Sequence, residues 1–318
     1  SYATANSYTA SGALRLGSEN SHIRIGVDYE GSEKNVRITN PNNANFYFQT
    51  INDAETERYG GFFEARGALG MVDYELGVRA DRHSLSAGAP VLGSAIAGGP
   101  VTLANLFAAS DRAWRGSSVD AVARLWSDMG DIVPRLTLAH KTRAPNAVER
   151  FSWLPTEASG GLADGNIYVG GGAALKVEKA WIAEAGFDWT GQTAYARPTI
   201  FYRRVDDYIQ GVPYDATPGG LNTPVEMVAN ASGDATPLRF ANVDAEFYGF
   251  DMDFGAVIAG PLRLDGVVSY TRGKRRDISD DLYRIAPLNG RVSLGWMADG
   301  WSLALEAAGF AVDQEHDG

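Results

Sequence analysis

Apolar and polar side chains alternate every second residue along most of the chain. In "MVDYELGVRAD", Val72, Tyr74, Leu76, Val78 and Ala80 share one face while Asp73, Glu75, Gly77, Arg79 and Asp81 share the other. The same pattern sets Ile23, Ile25, Val27 and Tyr29 against Arg24, Gly26, Asp28 and Glu30, and Leu136, Leu138 and His140 against Arg135, Thr137 and Lys141. A β-strand sends successive side chains to opposite faces, so each stretch predicts a strand with one apolar and one charged face. In "PLRLDGVVSYTRGKRRDISDD", Leu262, Leu264, Val268 and Tyr270 oppose Arg263, Asp265, Ser269 and Thr271, and the strand then exits into a charged loop.

About twelve strands are predicted, near 8–17, 21–31, 55–68, 71–83, 117–128, 131–143, 176–190, 193–212, 237–255, 260–273, 288–298 and 300–312. Most exceed the five or six residues common in globular sheets. They suit the roughly 9–11 residues that cross a bilayer at a tilt. Short turns at "GSEN", "ALGM", "SDMGD", "TGQT" and "ADG", with a longer one at "AVIAG", alternate with long segments near 32–54, 84–116, 144–175, 213–236 and 274–287. That parity is expected of an outer-membrane barrel, whose periplasmic turns are tight and whose extracellular loops are long. The predicted fold is therefore all-β, an antiparallel transmembrane β-barrel. Tyr59, Tyr74, Trp189, Tyr270, Trp296 and Trp301 fall close to strand ends, where interfacial aromatic girdles sit. If "GSEN" is periplasmic, both ends of the twelve-strand stretch lie outside the cell, so a slice of a larger barrel is expected. The closing "VDQEHDG" reads as the start of a polar loop.

Composition narrows the function. No apolar run approaches the ~18 residues of a membrane-spanning helix. With 37 Gly, 14 Tyr, 13 Phe and 7 Trp, the chain suits short turns joining aromatic-rich strands. There is no cysteine, which excludes disulfides and thiolate metal sites. The formal charge of -11 argues against a nucleic-acid partner, since phosphate binding needs a basic surface. The amino end, "SYATANSYTASGALRLG", carries no signal-peptide pattern, so a secreted reading expects that end to be cut or processed.

Several motifs resemble the barrel of TonB-dependent outer-membrane receptors. "KTRAPNAVERFSWLP" at 141–155 is similar to that family's "RAPN..ER" strand exit. "YVGGGAALKVEKAWIAEAGFDW" resembles its entry into the next strand through Leu175, Glu178, Glu184, Gly186 and Trp189. "PTIFYRRVDDYIQG" matches through Phe201, Tyr202, Val205, Asp207, Tyr208 and Ile209, and "FANVDAEFYGFDMDFG" through Asn242, Ala245, Gly249 and Asp251. "VSYTRG" and "RIAPLNGRVSLGW" follow in the family's order, while Val177 replaces the usual Pro and "APLN" the commoner "PP.R". The resemblance implies a barrel of about 22 strands around a globular plug, energised by the TonB complex. This chain would be the later part of that barrel, with plug and terminal strands absent. It implies the outer membrane as location, the bilayer, lipopolysaccharide and a metal chelate such as a ferric siderophore as partners, and coupling to TonB through the plug.

No enzyme constellation stands out, and no cofactor is expected. His22, His83, His140 and His316 are scattered, and none has metal-ligand spacing such as HExxH. His140, on an apolar strand face near the rim, reads as an interfacial residue. Asp206 and Asp207 would point to opposite faces of a strand, and Asp280–Asp281 sit in an arginine-rich loop, so neither pair predicts a metal site. Arg275 and Arg276 of "GKRRD" could contact an anionic lipopolysaccharide headgroup or chelate, or only water. Phe46, Tyr47, Phe48, Trp153 and Tyr168 lie in long outer segments, where aromatic surfaces could cradle a bulky chelate or simply pack the loops together. Two other readings stay open: a self-contained porin-like channel or translocator, and a soluble β-rich binding protein.

Overall fold

A computed structural model describes residues 1–162, 165–282 and 285–311. The expected strand end near 312 and the loop reading of "VDQEHDG" fall on residues outside those described. The first strands are β1 (Tyr2–Gly17), β2 (His22–Asn40), β3 (Asn43–Leu69) and β4 (Val72–Ser86). The short β5 (Val91–Leu92) and helix α1 (Gly99–Ala109) lead to β6 (Ala113–Trp126) and β7 (Ile132–Arg143). Short helices α2 (Ala147–Phe151) and α3 (Glu157–Gly160), strand β8 (Tyr168–Val169) and a single 3₁₀ turn precede β9 (Glu178–Thr190) and β10 (Ala194–Pro213). Helix α4 (Pro224–Ala231), β11 (Leu238–Ala259), β12 (Leu262–Arg275), β13 (Asn289–Ala298) and β14 (Trp301–Phe310) complete the chain.

All strands join one sheet, ordered β1-β2-β3-β4-β6-β7-β9-β10-β11-β12-β13-β14, with β5 beside β3 and β8 beside β11. Long neighbours pair antiparallel in chain order, the meander that alternation and turn parity predict. Turns at one end are tight because glycines adopt the left-handed backbone that side chains resist; Gly70, Gly130, Gly260 and Gly300 all have positive φ. The sheet does not close among the described residues. β1 and β14 stand at its two edges, exposed along their whole lengths.

Two expectations require correction. Residues 32–54 are not a loop: β2 and β3 continue upward as a tall hairpin, turning between Asn40 and Asn43. Backbone pairing of Arg37 with Gln49, Ile38 with Phe48 and Thr39 with Tyr47 carries the ladder on, and alternation fades there because neither face meets lipid. The Asp206–Asp207 pair does not lie on a regular strand. The register of β10 with β11 shifts between Val205 and Tyr208, and Asp207 takes φ 59°, so a β-bulge re-aims both carboxylates.

Burial is inverted relative to a soluble sheet. Ile25 (53% exposed), Val78 (50%), Leu138 (49%) and Ile200 (63%) lie bare on one face of the sheet. The main cluster of buried apolar residues instead gathers Leu103, Ala104, Trp153, Leu154, Val169, Val225 and Val228 from the connections at one end. A sandwich would bury the strand faces together. Lipid is the solvent that this apolar outer wall fits. Trp181 and Trp189 stand on that wall eight residues apart on β9, roughly 27 Å along a strand, about the height of the hydrocarbon band.

Candidate functional site

The opposite, inner face is a lattice of ion pairs. Arg58 binds Asp28 (2.9 Å), Glu30 (3.0 Å) and Asp81 (2.9 Å), while Arg79 binds Asp28 (2.7 Å) and Asp81 (2.6 Å), tying β2, β3 and β4 together. Arg24–Glu64, Arg124–Glu75, Arg135–Asp188, Arg203–Glu184 and Arg263–Asp265 repeat the arrangement around the wall. Strand alternation dictates this: once one face is given to lipid, every intervening side chain points to the lumen.

Above the wall, the long connections fold into a cap. Pro100 starts α1, and α4 has a full capping box. The Thr223 hydroxyl accepts from Glu226 N, and the Glu226 carboxylate accepts from Thr223 N at 3.0 Å. Leu103 of α1, Trp153, and Val225 and Val228 of α4 share one buried cluster, with Phe48, Leu92, Phe107 and Tyr214 packed against it. Trp153 donates its indole N–H to Thr50 O (3.0 Å) and stacks on Phe107, clamping the 144–175 connection onto the tall hairpin. Burial raises the pKa of the Tyr214 phenol.

The motifs read from sequence meet at the base of this cap. Arg143 donates to Glu178 (2.7 Å to each oxygen) and to Glu149 (2.9 Å). Burial pulls its guanidinium down, but the two carboxylates outweigh that and hold it above its usual value. Asn146 caps α2, and Glu149 completes its capping box. Arg150 is 1% exposed; it donates Nη1 to Leu175 O (3.0 Å) and lies 5.2 Å from the centre of the Trp114 ring. Its Nε and Nη2 have no hydrogen-bond partner among the described residues, and burial lowers its pKa to about 10. Asn242 accepts from Lys176 N and donates to Lys176 O and Asp207 O, locking the bulge of β10 to the strand entry.

The ligand-contact candidates divide. Phe46 and Tyr47 stand on the tall hairpin; Phe46 is 36% exposed and edges Phe48, and Tyr47 lies beneath the Arg37 guanidinium at 3.8 Å. Phe48 and Trp153 belong to the packing of the cap. Tyr168 is buried on β8 and stacks on Phe240. Arg275 pairs with Asp277 (2.6 Å), whose carboxyl it holds below the usual range; Arg276 pairs with Asp206 and lies 3.6 Å from Asp244. The structure thus brings Phe48 and Trp153 together, with Tyr168 close by, its carbonyl accepting from the Ser152 hydroxyl (3.4 Å), while the two arginines pair with carboxylates elsewhere. His140 packs against Trp181 on the outer wall, ring centres 4.7 Å apart and planes tilted by 59°, with Nδ1 2.9 Å from Val119 O. Sequence reading missed the Arg143–Glu149–Glu178 hub and helices α1 and α4. The spacings "NAVE" and "TPVE" are the capping signals that point to α2 and α4.

An apolar outer wall, an ionic inner wall and a folded cap over one end define a transmembrane barrel of the receptor type, not a soluble sheet. The profile of the family described as TonB dependent receptor-like, beta-barrel, matches residues 1–316, and the chain belongs to that family. Its members reside in the bacterial outer membrane and are receptors and transporters, not enzymes. Among solved structures, the chain is similar to "Copper transporter OprC" at 20% identity and TM-score 0.73, covering 97% of this chain and 44% of that one. It is also similar to the alcaligin outer-membrane receptor FauA from Bordetella pertussis (13%, TM-score 0.56, covering 96% and 46%). The ferric yersiniabactin uptake receptor FyuA from Yersinia pestis matches comparably (13%, TM-score 0.59, covering 96% and 42%). The chain spans less than half the length of these relatives. Comparison with curated proteins found no match. Likeness at these identities speaks for the fold.

Proposed function

We propose that the chain forms part of the wall and the extracellular cap of a TonB-coupled transporter that takes up a bulky metal chelate, such as a ferric siderophore. The observation that carries this reading is the family match along residues 1–316. The ionic inner wall supports it, because a polar lumen suits a plug domain held by hydrogen bonds and charge. The unclosed sheet supports a place within a barrel of about 22 strands, since two open edges cannot face lipid unpaired. Phe46 and Tyr47, raised on the tall hairpin, are the aromatic groups best placed to meet a chelate, with Phe48, Trp153 and Tyr168 holding the cap's shape. Arg275 and Arg276, each already paired with carboxylates, would meet an anionic ligand only by exchanging those partners. The transporters named above carry copper and iron cargoes, which leaves the cargo to experiment.

The test uses the intact receptor in cells lacking it, with growth measured under iron limitation and under copper limitation while ferric siderophores and copper are supplied singly. The reading expects growth rescue by one ferric chelate, abolished when the TonB complex is inactivated. Rescue by copper alone would reassign the cargo. Uptake that persists without TonB would favour the passive-channel alternative.

A further inference from the structure

Residues 84–110 contain no Asp, Glu, Lys or Arg, in a chain that is 21% charged. They supply β5, α1 and the links between them, a large part of the cap. Strand parity says where that part lies. β2 pairs with β1 without a register shift as far as Arg37, so Ile38 continues the inner face that carries Asp28 and Glu30. Ile38 pairs with Phe48, and Phe48 packs against the cluster that holds Leu103 of α1, Trp153 and Val228 of α4. The loops therefore lean inward over the lumen mouth, and whatever enters along this sector passes their surface.

That surface is apolar and short of usable positive charge. Leu106 on α1 (58% exposed), Met227 on α4 (56%), Val91 on β5 and Phe46 on the tall hairpin all lie open. The five long connections, 32–54, 84–116, 144–175, 213–236 and 274–287, hold nine basic and twelve acidic residues. Most of the described basic ones are committed. Arg112 donates to Ala87 O and Ala108 O, Arg275 and Arg276 pair with Asp277 and Asp206, Arg37 lies over the Tyr47 ring, and Arg150 is buried. Arg115 and Lys274 keep the strand parity of Val119 and Tyr270 and so stand on the outer wall. Among the described residues this leaves Lys34 on β2 and Arg239 at the head of β11 without an acid in ion-pair reach, with six strands between them in the sheet order. Asp53 and Glu157 are exposed.

We propose that the cap selects a metal chelate without net charge, of the ferric trihydroxamate kind, over anionic chelates such as a ferric tris-catecholate. The assignment rests on the transport reading above and narrows it. Three monoanionic hydroxamates balance the ferric ion, whereas three dianionic catecholates leave a trianion. A trianion settling on this surface gives up water without gaining clustered cations, and it meets the exposed carboxylates of Asp53 and Glu157. A neutral chelate loses less hydration and covers apolar side chains such as Leu106 and Met227. Specificity then comes from the charge that the cap withholds.

The test is equilibrium dialysis of radio-iron-labelled probes against the purified intact receptor. The probes are a neutral ferric trihydroxamate, the same scaffold bearing added carboxylates, and a ferric tris-catecholate. Wild type should bind the neutral probe at least about tenfold more tightly than either anion. That binding should change little between low and high salt. A variant combining Leu106→Lys and Met227→Lys, altered only at exposed positions, should narrow the gap between the neutral and the carboxylated probe. An anionic probe bound as tightly as the neutral one, a gap unchanged in the variant, or neutral binding that collapses in salt would overturn the inference and leave the transport reading standing. So would failure to bind the neutral probe while some other ferric chelate rescues growth. Failure to bind any probe, with no ferric chelate rescuing growth, would overturn the transport reading and this inference with it.

Discussion

Arg143 shows how a single side chain couples a strand to the cap. Its guanidinium bridges two carboxylates that are about 10% exposed, Glu149 and Glu178, and so holds α2 over the start of β9. Arg143→Ala leaves both acids without their cation. Because Arg143 itself is 43% exposed, the expected cost is roughly 2 kcal/mol of local opening, below the range for a wholly buried pair. Hydrogen exchange across residues 144–178 should show this as faster exchange confined to the cap. Arg150→Met, by contrast, should exchange nearly as wild type, since an incompletely paired buried cation is replaced by apolar volume. Gly249 tests the sheet: a Cβ there would lie 1.9 Å from Tyr270 O, so Gly249→Ala must displace the β11–β12 pairing. Lower yield of heat-modifiable barrel on unheated gels is the expected outcome. At this scale much of the site was legible, because Arg143, Glu178 and Asn242 stood in recognisable motifs. Glu149 and Asp207 stood in the same motifs, but their pairing with Arg143 and Asn242 was not legible, since it is made only through an exit loop and a bulge that alternation cannot encode.

Elements were legible in proportion to how strictly lipid enforces the pattern. All twelve long strands lie where alternation predicts them, for a one-residue slip would put charge into hydrocarbon. The upper hairpin of β2 and β3 was misread as loop because, above the membrane, nothing enforces an apolar face. The same physics predicts opposite outcomes for one strand. Leu138→Arg, at the middle of the lipid face of β7, should cost about 2–4 kcal/mol in a denaturant titration of the reconstituted barrel. Thr137→Arg, on the adjacent lumen side, should cost far less. Helix α4 offers an independent check. Glu226 is 1% exposed and accepts from Asn222 N and Thr223 N, so Glu226→Ala strands both donors and should loosen the helix by about 1–3 kcal/mol. Faster exchange is expected in Gly99–Ala109 as well as Pro224–Ala231, since the two helices pack in one cluster.

For the whole molecule, one inversion organises everything else: apolar residues on the outside of the sheet, ion pairs on the inside, and the principal apolar core displaced into the cap. A sheet of this kind needs lipid on one side and a polar filling on the other, which is why its edges, lumen and cap all point to a receptor barrel. These 318 residues hold no cysteine, so, with any cysteine elsewhere in the intact receptor first replaced by serine, single cysteines introduced at neighbouring positions and spin-labelled give a direct test. Labels at Val78 and Arg79 in the reconstituted intact receptor should respond oppositely, Val78 to a lipid-soluble relaxation agent and Arg79 to a water-soluble one. The account predicts the same alternation from Leu76 to Asp81. Equal accessibility at successive positions, or water on the Val78 face, would contradict it.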